Sequence, residues 1–329
     1  MKNQTWLTRI HQLFSVKPSR KHRRRRKAKT GFQFETLETR NLLASVSFDA
    51  ANELLTFQAD AGQVDIVAVS AASADTLQIQ VGGGDQIVLA GDAVGNADFS
   101  LSQSATANDT LLVDVGSSVV SEFIANLGDL DDVFSVTGLA GIDSLFVSGE
   151  AGNDVVDASA LATGVSLAGG AGNDTLTGGS GNDVLTGGGG TDTIDGGLGI
   201  DTNSFQGIGL GVTATVAADG TGTASYGLVN ESFTGIENLT GSENDDILTA
   251  TGAAANVLRG EGGDDILAGG GGTDVIDGGL GIDTNSFQGI GFGVTASIND
   301  DGTGVAAYGP VNETFSGIEN LTGSDMQTT

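Results

Sequence analysis

Apolar and polar residues alternate in short bursts along this chain. Leu55-Thr56-Phe57, Val64-Asp65-Ile66-Val67-Ala68-Val69 and Leu77-Gln78-Ile79-Gln80-Val81 repeat with a period of two, and clusters of glycine, asparagine and aspartate separate them. This pattern predicts strands joined by turns, and no stretch carries a helix-period stripe flanked by caps. Farther on, a shorter phrase takes over, in which a large apolar residue stands two places after an aspartate. Asn108-Asp109, Asp131-Asp132, Asn153-Asp154 and Asn173-Asp174 open such phrases at steps of 23, 22 and 20 residues. The step then halves to nine through Asp174, Asp183, Asp192 and Asp201. A turn of two short strands contracts in this way into two half-turns, so residues 108–204 are expected to form one continuous β-solenoid.

Four phrases run without a gap through residues 169–204: GGAGNDTLT, GGSGNDVLT, GGGGTDTID and GGLGIDTNS. Their common form is G-G-x-G-x-D-x-U-x, with U a large aliphatic residue. The paired glycines permit positive φ and a tight bend where a side chain would collide with the next coil. The x-U-x triplet is a three-residue strand whose U side chain enters a narrow core, supplied by Leu176, Leu185, Ile194, Leu267 and Ile276. A single coil buries almost nothing, so the phrase must recur before its aliphatic ladder becomes continuous. Asn203 and Asn285 stand at U in the last phrase of each array, and those coils are expected to close the ladder.

A longer repeat overlies the short one. Residues 187–242 and 269–324 align at an offset of 82, with 45 of 56 positions identical, which marks a recent duplication. Each copy holds two nonapeptides, a β-rich insert and the closing phrase GIENLTGS. The expected organisation is a basic leader over residues 1–44, an all-β unit over 45–107 and the solenoid over 108–204, which ends in the first nonapeptide array. A β-rich insert follows over 205–240. Degenerate turns and the second array occupy 241–286, and the duplicated insert 287–329, which stops where the first copy continues and is expected to be truncated. The fold class is therefore all-β: parallel β-roll or β-solenoid arrays with β-rich inserts behind a disordered basic N-terminus.

Composition sharpens this picture. The 329 residues include 54 glycines and no cysteine, with 42 acidic against 13 basic side chains. Glycine at this level without a three-residue period excludes collagen and fits an array of tight turns. Twelve of the basic residues lie in the first 40 positions; beyond them 40 acidic residues face the single Arg259. A body so charged repels itself when compact and does not attract nucleic acid or an anionic membrane. Without disulfides it needs another clip, and counter-cations are the obvious one. No run of 18 apolar residues spans a membrane.

The leader holds nine Lys or Arg within residues 17–29. By its residues alone it is a solvated tail, a nucleic-acid patch or an export leader, and no aromatic or folded partner element follows to support the second. Glu35, Glu38, Thr39 and Arg40 interrupt what a signal peptide would keep apolar. The phrase FETLETRNLLA at residues 34–44 resembles the LEPR-XLL segment of large exported bacterial proteins, with Thr39 where that family has proline. The resemblance implies an exported or surface-bound product.

The aspartates explain the rest of the nonapeptide. With two phrases per coil, residues 18 apart stack, so Asp174 lies over Asp192 and Asp183 over Asp201; in the second array Asp265 lies over Asp283, and Asp274 over Asn256. Bare files of carboxylates repel one another. A hard, oxygen-seeking cation of flexible geometry fits between such loops and draws on carboxylates and on carbonyls that glycine leaves exposed; this describes calcium better than magnesium, which demands a strict octahedron. A disordered acidic linker would not keep an aliphatic residue two places after each aspartate. For Asp109, Asp132 and Asp154 a plain turn role and a metal role both stay open.

These residues resemble the haemolysin-type (RTX, repeats-in-toxin) calcium-binding β-roll. The resemblance implies Ca2+ ligation by Asp174, Asp183, Asp192, Asp201, Asp265, Asp274 and Asp283, and by Asp154 in a phrase whose second position is Glu150. It also implies that the insert ending in GIENLTGS joins successive rolls.

Beyond residue 40 the chain has no histidine, lysine or cysteine, which removes the usual general base, the Ser-His pair, thiolate chemistry and histidine-bound zinc. No catalytic residue is assigned and the chain is not expected to be an enzyme. The expected function is that of a secreted or surface-displayed calcium-binding structural protein, adhesive toward extracellular polysaccharide or cell-surface components, that folds on meeting extracellular calcium. The alternative is a non-catalytic module of a secreted hydrolase, epimerase or toxin whose active part lies elsewhere.

Overall fold

The computed structural model describes residues 123–137 and 142–324 in full, together with the backbones of the strands between residues 44 and 122. The fold described lies within Leu42–Thr329; the basic leader and the LEPR-XLL-like phrase fall outside the described residues. All regular structure among the described residues is strand. The strands alternate between two sheets and pair in parallel with the strand one full coil away. The stagger records the contraction expected from the sequence: Val133 pairs with Val155, Val155 with Thr175, and Thr175 with Thr193. The roll is a parallel coil, all-β as the periodicity predicts.

Each x-U-x triplet lies in a strand, three residues long at Thr175–Thr177 and Thr193–Asp195 and six at Val184–Gly189. In Thr175–Thr177 and Thr193–Asp195 only the central side chain is buried, since neighbours in a strand point to opposite faces. On one sheet the central residues Phe134, Val156, Leu176 and Ile194 stack in turn; on the other Leu167, Leu185, Asn203, Leu239, Leu258 and Ile276 do the same. Leu176, Leu185, Leu239, Leu258 and Ile276 are wholly shielded from solvent. Leu185→Ala would open a gap between Leu167 and Asn203 at a closed position and is expected to destabilise the calcium-loaded protein by about 2–5 kcal/mol in urea unfolding. A loss well below that range would mean the ladder is not packed.

The turns require their glycines by contact as well as by φ. Gly172 sits at φ +142°, and a Cβ there would fall 1.6 Å from the carbonyl oxygen of Gly152 in the coil before it. No rotamer escapes a clash with backbone, so coil spacing itself selects glycine.

Two expectations are corrected. Asn203 and Asn285 do not close the ladder: Thr202–Ser204 pairs with Asn238–Thr240, placing Leu239 beside Asn203, and Asn285 is followed in the same way by Leu321. Parallel pairing is made by main-chain groups, so a polar side chain at U interrupts the aliphatic content of the ladder without ending it. The solenoid also does not begin at Asn108. Asn108–Asp114 pairs antiparallel with Thr76–Gly82 and Asp98–Ser102, whereas the parallel stacking reaches back to Leu54–Ala59 and Ile66–Ser73, which lie against Glu122–Asn126 and Val133–Thr137. Alternation alone does not distinguish a strand that continues a coil from one that folds back beside it.

The insert is a three-stranded antiparallel meander, Thr213–Ala217, Gly222–Tyr226 and Val229–Thr234, held within one sheet. Its outer strands continue the roll in parallel, Ser232 on Thr193 and Thr213 on Ile247. The second copy, Thr295–Ile298, Gly304–Tyr308 and Val311–Ser316, repeats this meander in the opposite sheet. The repeat unit of 82 residues spans an odd number of half-coils, so equivalent residues of the two copies alternate sides.

Candidate metal centre

Each G-G-x-G-x-D loop leads one sheet into the next and delivers its aspartate immediately before a strand. Asp154, Asp174, Asp183, Asp192, Asp201, Asp265, Asp274 and Asp283 are all no more than 2% exposed. Their Oδ1 atoms are fixed by the coil before. The N–H of Asp154 donates to Asp174 at 2.8 Å, that of Asp174 to Asp192 at 2.8 Å, that of Asp183 to Asp201 at 2.7 Å and that of Asp265 to Asp283 at 2.8 Å. Asn256 donates to Asp274 in the same manner. The structure thus brings the predicted aspartates together in two files, one on each side of the roll.

The second oxygen is the chemically important one. Oδ2 of Asp154, Asp174, Asp192, Asp201, Asp265, Asp274 and Asp283 is buried with no hydrogen-bond donor; Asp183 differs, its Oδ2 accepting the N–H of Gly179 at 2.6 Å. Each Oδ2 faces the space left by the first glycine of its own phrase. A Cβ on Gly149 would lie 2.2 Å from Oδ2 of Asp154 and 2.4 Å from the carbonyl oxygen of Gly169; on Gly260 it would lie 2.1 Å from Oδ2 of Asp265 and 2.4 Å from Gly278 O. A carboxylate oxygen without a donor and a carbonyl oxygen from the next coil therefore converge. Such a donor set, all oxygen and held on flexible loops, fits a hard cation of variable coordination number. Among the described residues no three acidic or histidine side chains meet at one point, so a cation here must take main-chain carbonyls as well.

Burial makes the bare carboxylates costly. Loss of water pushes Asp154, Asp174, Asp201 and Asp274 up from 3.8 to about 6, and Asp265 to about 7, only partly offset by the amide bond each accepts. Acidic neighbours in the same file add to the rise for Asp174, through Asp192, and for Asp265, through Asp246. A buried oxygen that is both unpaired and resistant to ionisation is an incomplete site.

A second ladder lies outside the aspartates. Asn153 accepts the N–H of Asn173, Asn173 that of Thr191, and Asn182 that of Ile200. Asn153, Asn173 and Asn182, each just before an aspartate, thus space the coils, a role the sequence pattern did not reveal. Four glutamates were also missed. Strand register sets Glu231 beside Asp192 and Glu237 beside Asp201, and in the second copy Glu313 beside Asp274 and Glu319 beside Asp283. The N–H groups of Asp201 and Asp283 donate to Glu237 and Glu319 at 2.8 Å, as they would to a stacked aspartate. The signal was present in E-S-F-T, E-T-F-S and E-N-L-T, which copy D-x-U-x without the paired glycines that open the nonapeptide. Asp246, in a turn read as degenerate, also belongs to a file, its N–H donating to Asp265. Asp109 lies in a strand whose side chains fall outside the described residues.

A family model, the RTX calcium-binding nonapeptide repeat, matches residues 168–202 and 251–284 in four copies. The two arrays are RTX calcium-binding nonapeptide repeats. They bind Ca2+. The second match begins at residue 251, inside the turn with Asn256 in place of aspartate, so the RTX pattern extends beyond the phrases that carry every consensus residue. No curated protein matches the chain. Arrays of this kind are structural and non-catalytic, and no described helix is long and apolar enough to cross a membrane.

Proposed function

We propose that this chain is a secreted or surface-displayed structural protein, adhesive toward extracellular polysaccharide or other cell-surface components, whose arrays fold when they meet extracellular calcium. Asp154, Asp174, Asp183, Asp192, Asp201, Asp265, Asp274 and Asp283 supply its carboxylate ligands, with glycine carbonyls of the adjoining coil. The observation that carries this reading is the row of buried Oδ2 atoms facing glycine-lined space without a donor. In a calcium-poor cytosol the files would remain unneutralised and the chain expanded enough for export, which the LEPR-XLL-like phrase supports. Apolar loop tips at equivalent places in both arrays, Leu198 at 74% and Leu280 at 77% exposed, offer contact area for an adhesive role.

Two measurements test the reading. Antibody labelling of intact producing cells in about 1 mM calcium, an extracellular level, should detect the protein without permeabilisation, and EDTA should abolish its protease resistance. Detection only inside permeabilised cells would overturn the display. For the ligands, Asp265→Asn with Asp283→Asn should lower the calcium bound at equilibrium dialysis by at least one ion per chain; an unchanged number would remove these aspartates from the ligand set.

A further inference from the structure

Beside each meander lies a groove that both copies build. Its volume is about 550 Å3 in the second copy and about 470 Å3 in the first, within the range of small-ligand sites, about 300–1,000 Å3. One wall is the loop that enters the meander, residues 288–292 or 206–210, and the other is the turn between its second and third strands, at Pro310 or Leu228. The walls meet. A Cβ on Gly309 would lie 3.4 Å from the ring of Phe292, and one on Gly227 3.0 Å from Cδ1 of Leu210. The glycine that gives each turn its positive φ, +53° or +56°, therefore also lets the apolar side chain of the loop rest on it. The floor is array backbone, at Gly252, Gly270 and Gly271 in the second copy and at the equivalent Gly170, Gly188 and Gly189 in the first.

Neither lining contains a charged side chain, although 40 acidic residues lie beyond residue 40. Such a groove suits an uncharged ligand: an anion is repelled by the body, and a cation is drawn to the acidic surface elsewhere. The polar side chains decide its class. Thr249, Thr251 and Gln288 in the second groove, and Thr186 and Gln206 in the first, are hydroxyls and amides, which both donate and accept. The hydroxyls of Tyr308 and Tyr226 are already engaged by glycine carbonyls and a glutamate. An acyl chain would strip water from the threonines and the glutamine without replacing its hydrogen bonds. A sugar ring meets both demands, with hydroxyls at its edge for these side chains and a C–H face for an aromatic wall. Phe292 supplies that wall and is 55% exposed. Leu210 stands in its place in the first copy and Leu228 in that of Pro310, so each exchange keeps an apolar side chain at the rim. We propose that the second groove binds a neutral polysaccharide, one sugar ring seating a C–H face on Phe292 with its hydroxyls on Gln288, Thr249 and Thr251. The first groove, without the aromatic ring, is a weaker copy of the same site.

The inference rests on the adhesive reading of the chain and names where the polysaccharide is held. Isothermal titration calorimetry of the calcium-loaded full-length chain tests it, with oligosaccharides of glucose, mannose, galactose and N-acetylglucosamine as neutral probes, a hyaluronan oligosaccharide as the anionic one and decanol as the apolar one. At least one neutral oligosaccharide is expected to bind, and hyaluronan and decanol are not. Phe292→Ala should weaken that binding about tenfold and Gln288→Ala about threefold, with circular dichroism in calcium unchanged, since both side chains are exposed. Leu210→Phe should add a second binding event of comparable affinity, a gain that misfolding cannot produce. Unchanged affinity in the folded Phe292→Ala variant would overturn the groove and leave polysaccharide adhesion to another surface. Decanol bound in place of every oligosaccharide would overturn the sugar assignment, and hyaluronan bound alone would overturn the neutrality on which it rests. No oligosaccharide bound at all would remove polysaccharide from the adhesive reading together with this site, while the calcium ligands, read by dialysis, would stand.

Discussion

Removing calcium with EDTA at pH 7.5 is expected to collapse the strand signal of this protein to that of a coil, and about 1 mM calcium to restore it in one cooperative step, while magnesium at the same level does not. The size of the effect follows from the aspartate files. Asp154, Asp174, Asp201, Asp265 and Asp274 are raised from 3.8 to about 6 or 7 in the folded chain. Two units correspond to about 3 kcal/mol, so keeping five such groups ionised without a counter-ion costs on the order of 10 kcal/mol. That matches the whole net stability of a typical domain, about 5–15 kcal/mol. Cooperativity follows from stacking, because each coil finds its hydrogen-bond partners only in its neighbours. Magnesium fails because it holds its waters and demands an octahedron that two carboxylates and glycine carbonyls do not provide. Far-UV circular dichroism decides the matter: a spectrum already rich in strand in EDTA at pH 7.5 would show that the files carry no such cost.

How far the fold is legible in the sequence depends on whether a position is fixed by local spacing or by what stacks on it. The nine-residue period places Leu176 over Ile194 and Asp174 over Asp192 because both depend only on counting 18 residues within an unbroken array. The count fails where the meander interrupts it. Thr193 pairs with Ser232 across 39 residues, and only after the meander has folded does Glu231 arrive beside Asp192. No local pattern announces that distance. Asn203 shows the converse: read as a residue, it suits the end of a core, yet its main chain pairs as well as that of any leucine, and Leu239 follows it. Side-chain identity predicts what the core contains, whereas main-chain register decides how far the coil runs. The same distinction accounts for Asn108, whose phrase matches the solenoid and whose strand folds back antiparallel.

Acid should substitute for calcium. In EDTA, lowering the pH from 7.5 to about 5 is expected to recover much of the strand signal and protease resistance. A carboxyl whose pKa is higher folded than unfolded takes up a proton on folding, so the stability it contributes is complete below 3.8 and disappears as the pH rises through about 6 to 7. Calcium-loaded protein should behave in the opposite sense, since protons compete for the same oxygens: its calcium affinity should fall over that window, and the two stability curves should approach each other near pH 5. General repulsion within an acidic body also weakens in acid, and salt separates the two causes. About 1 M NaCl screens surface charges, with a Debye length near 3 Å, but does not reach carboxylates buried between coils. Recovery in acid at low salt, with little recovery in 1 M NaCl at pH 7.5, would assign the effect to the buried files. Equal recovery by salt would assign it to the surface, and a spectrum in EDTA unchanged between pH 7.5 and 5 would mean that the aspartates ionise in the folded roll without penalty, which their unpartnered Oδ2 atoms argue against.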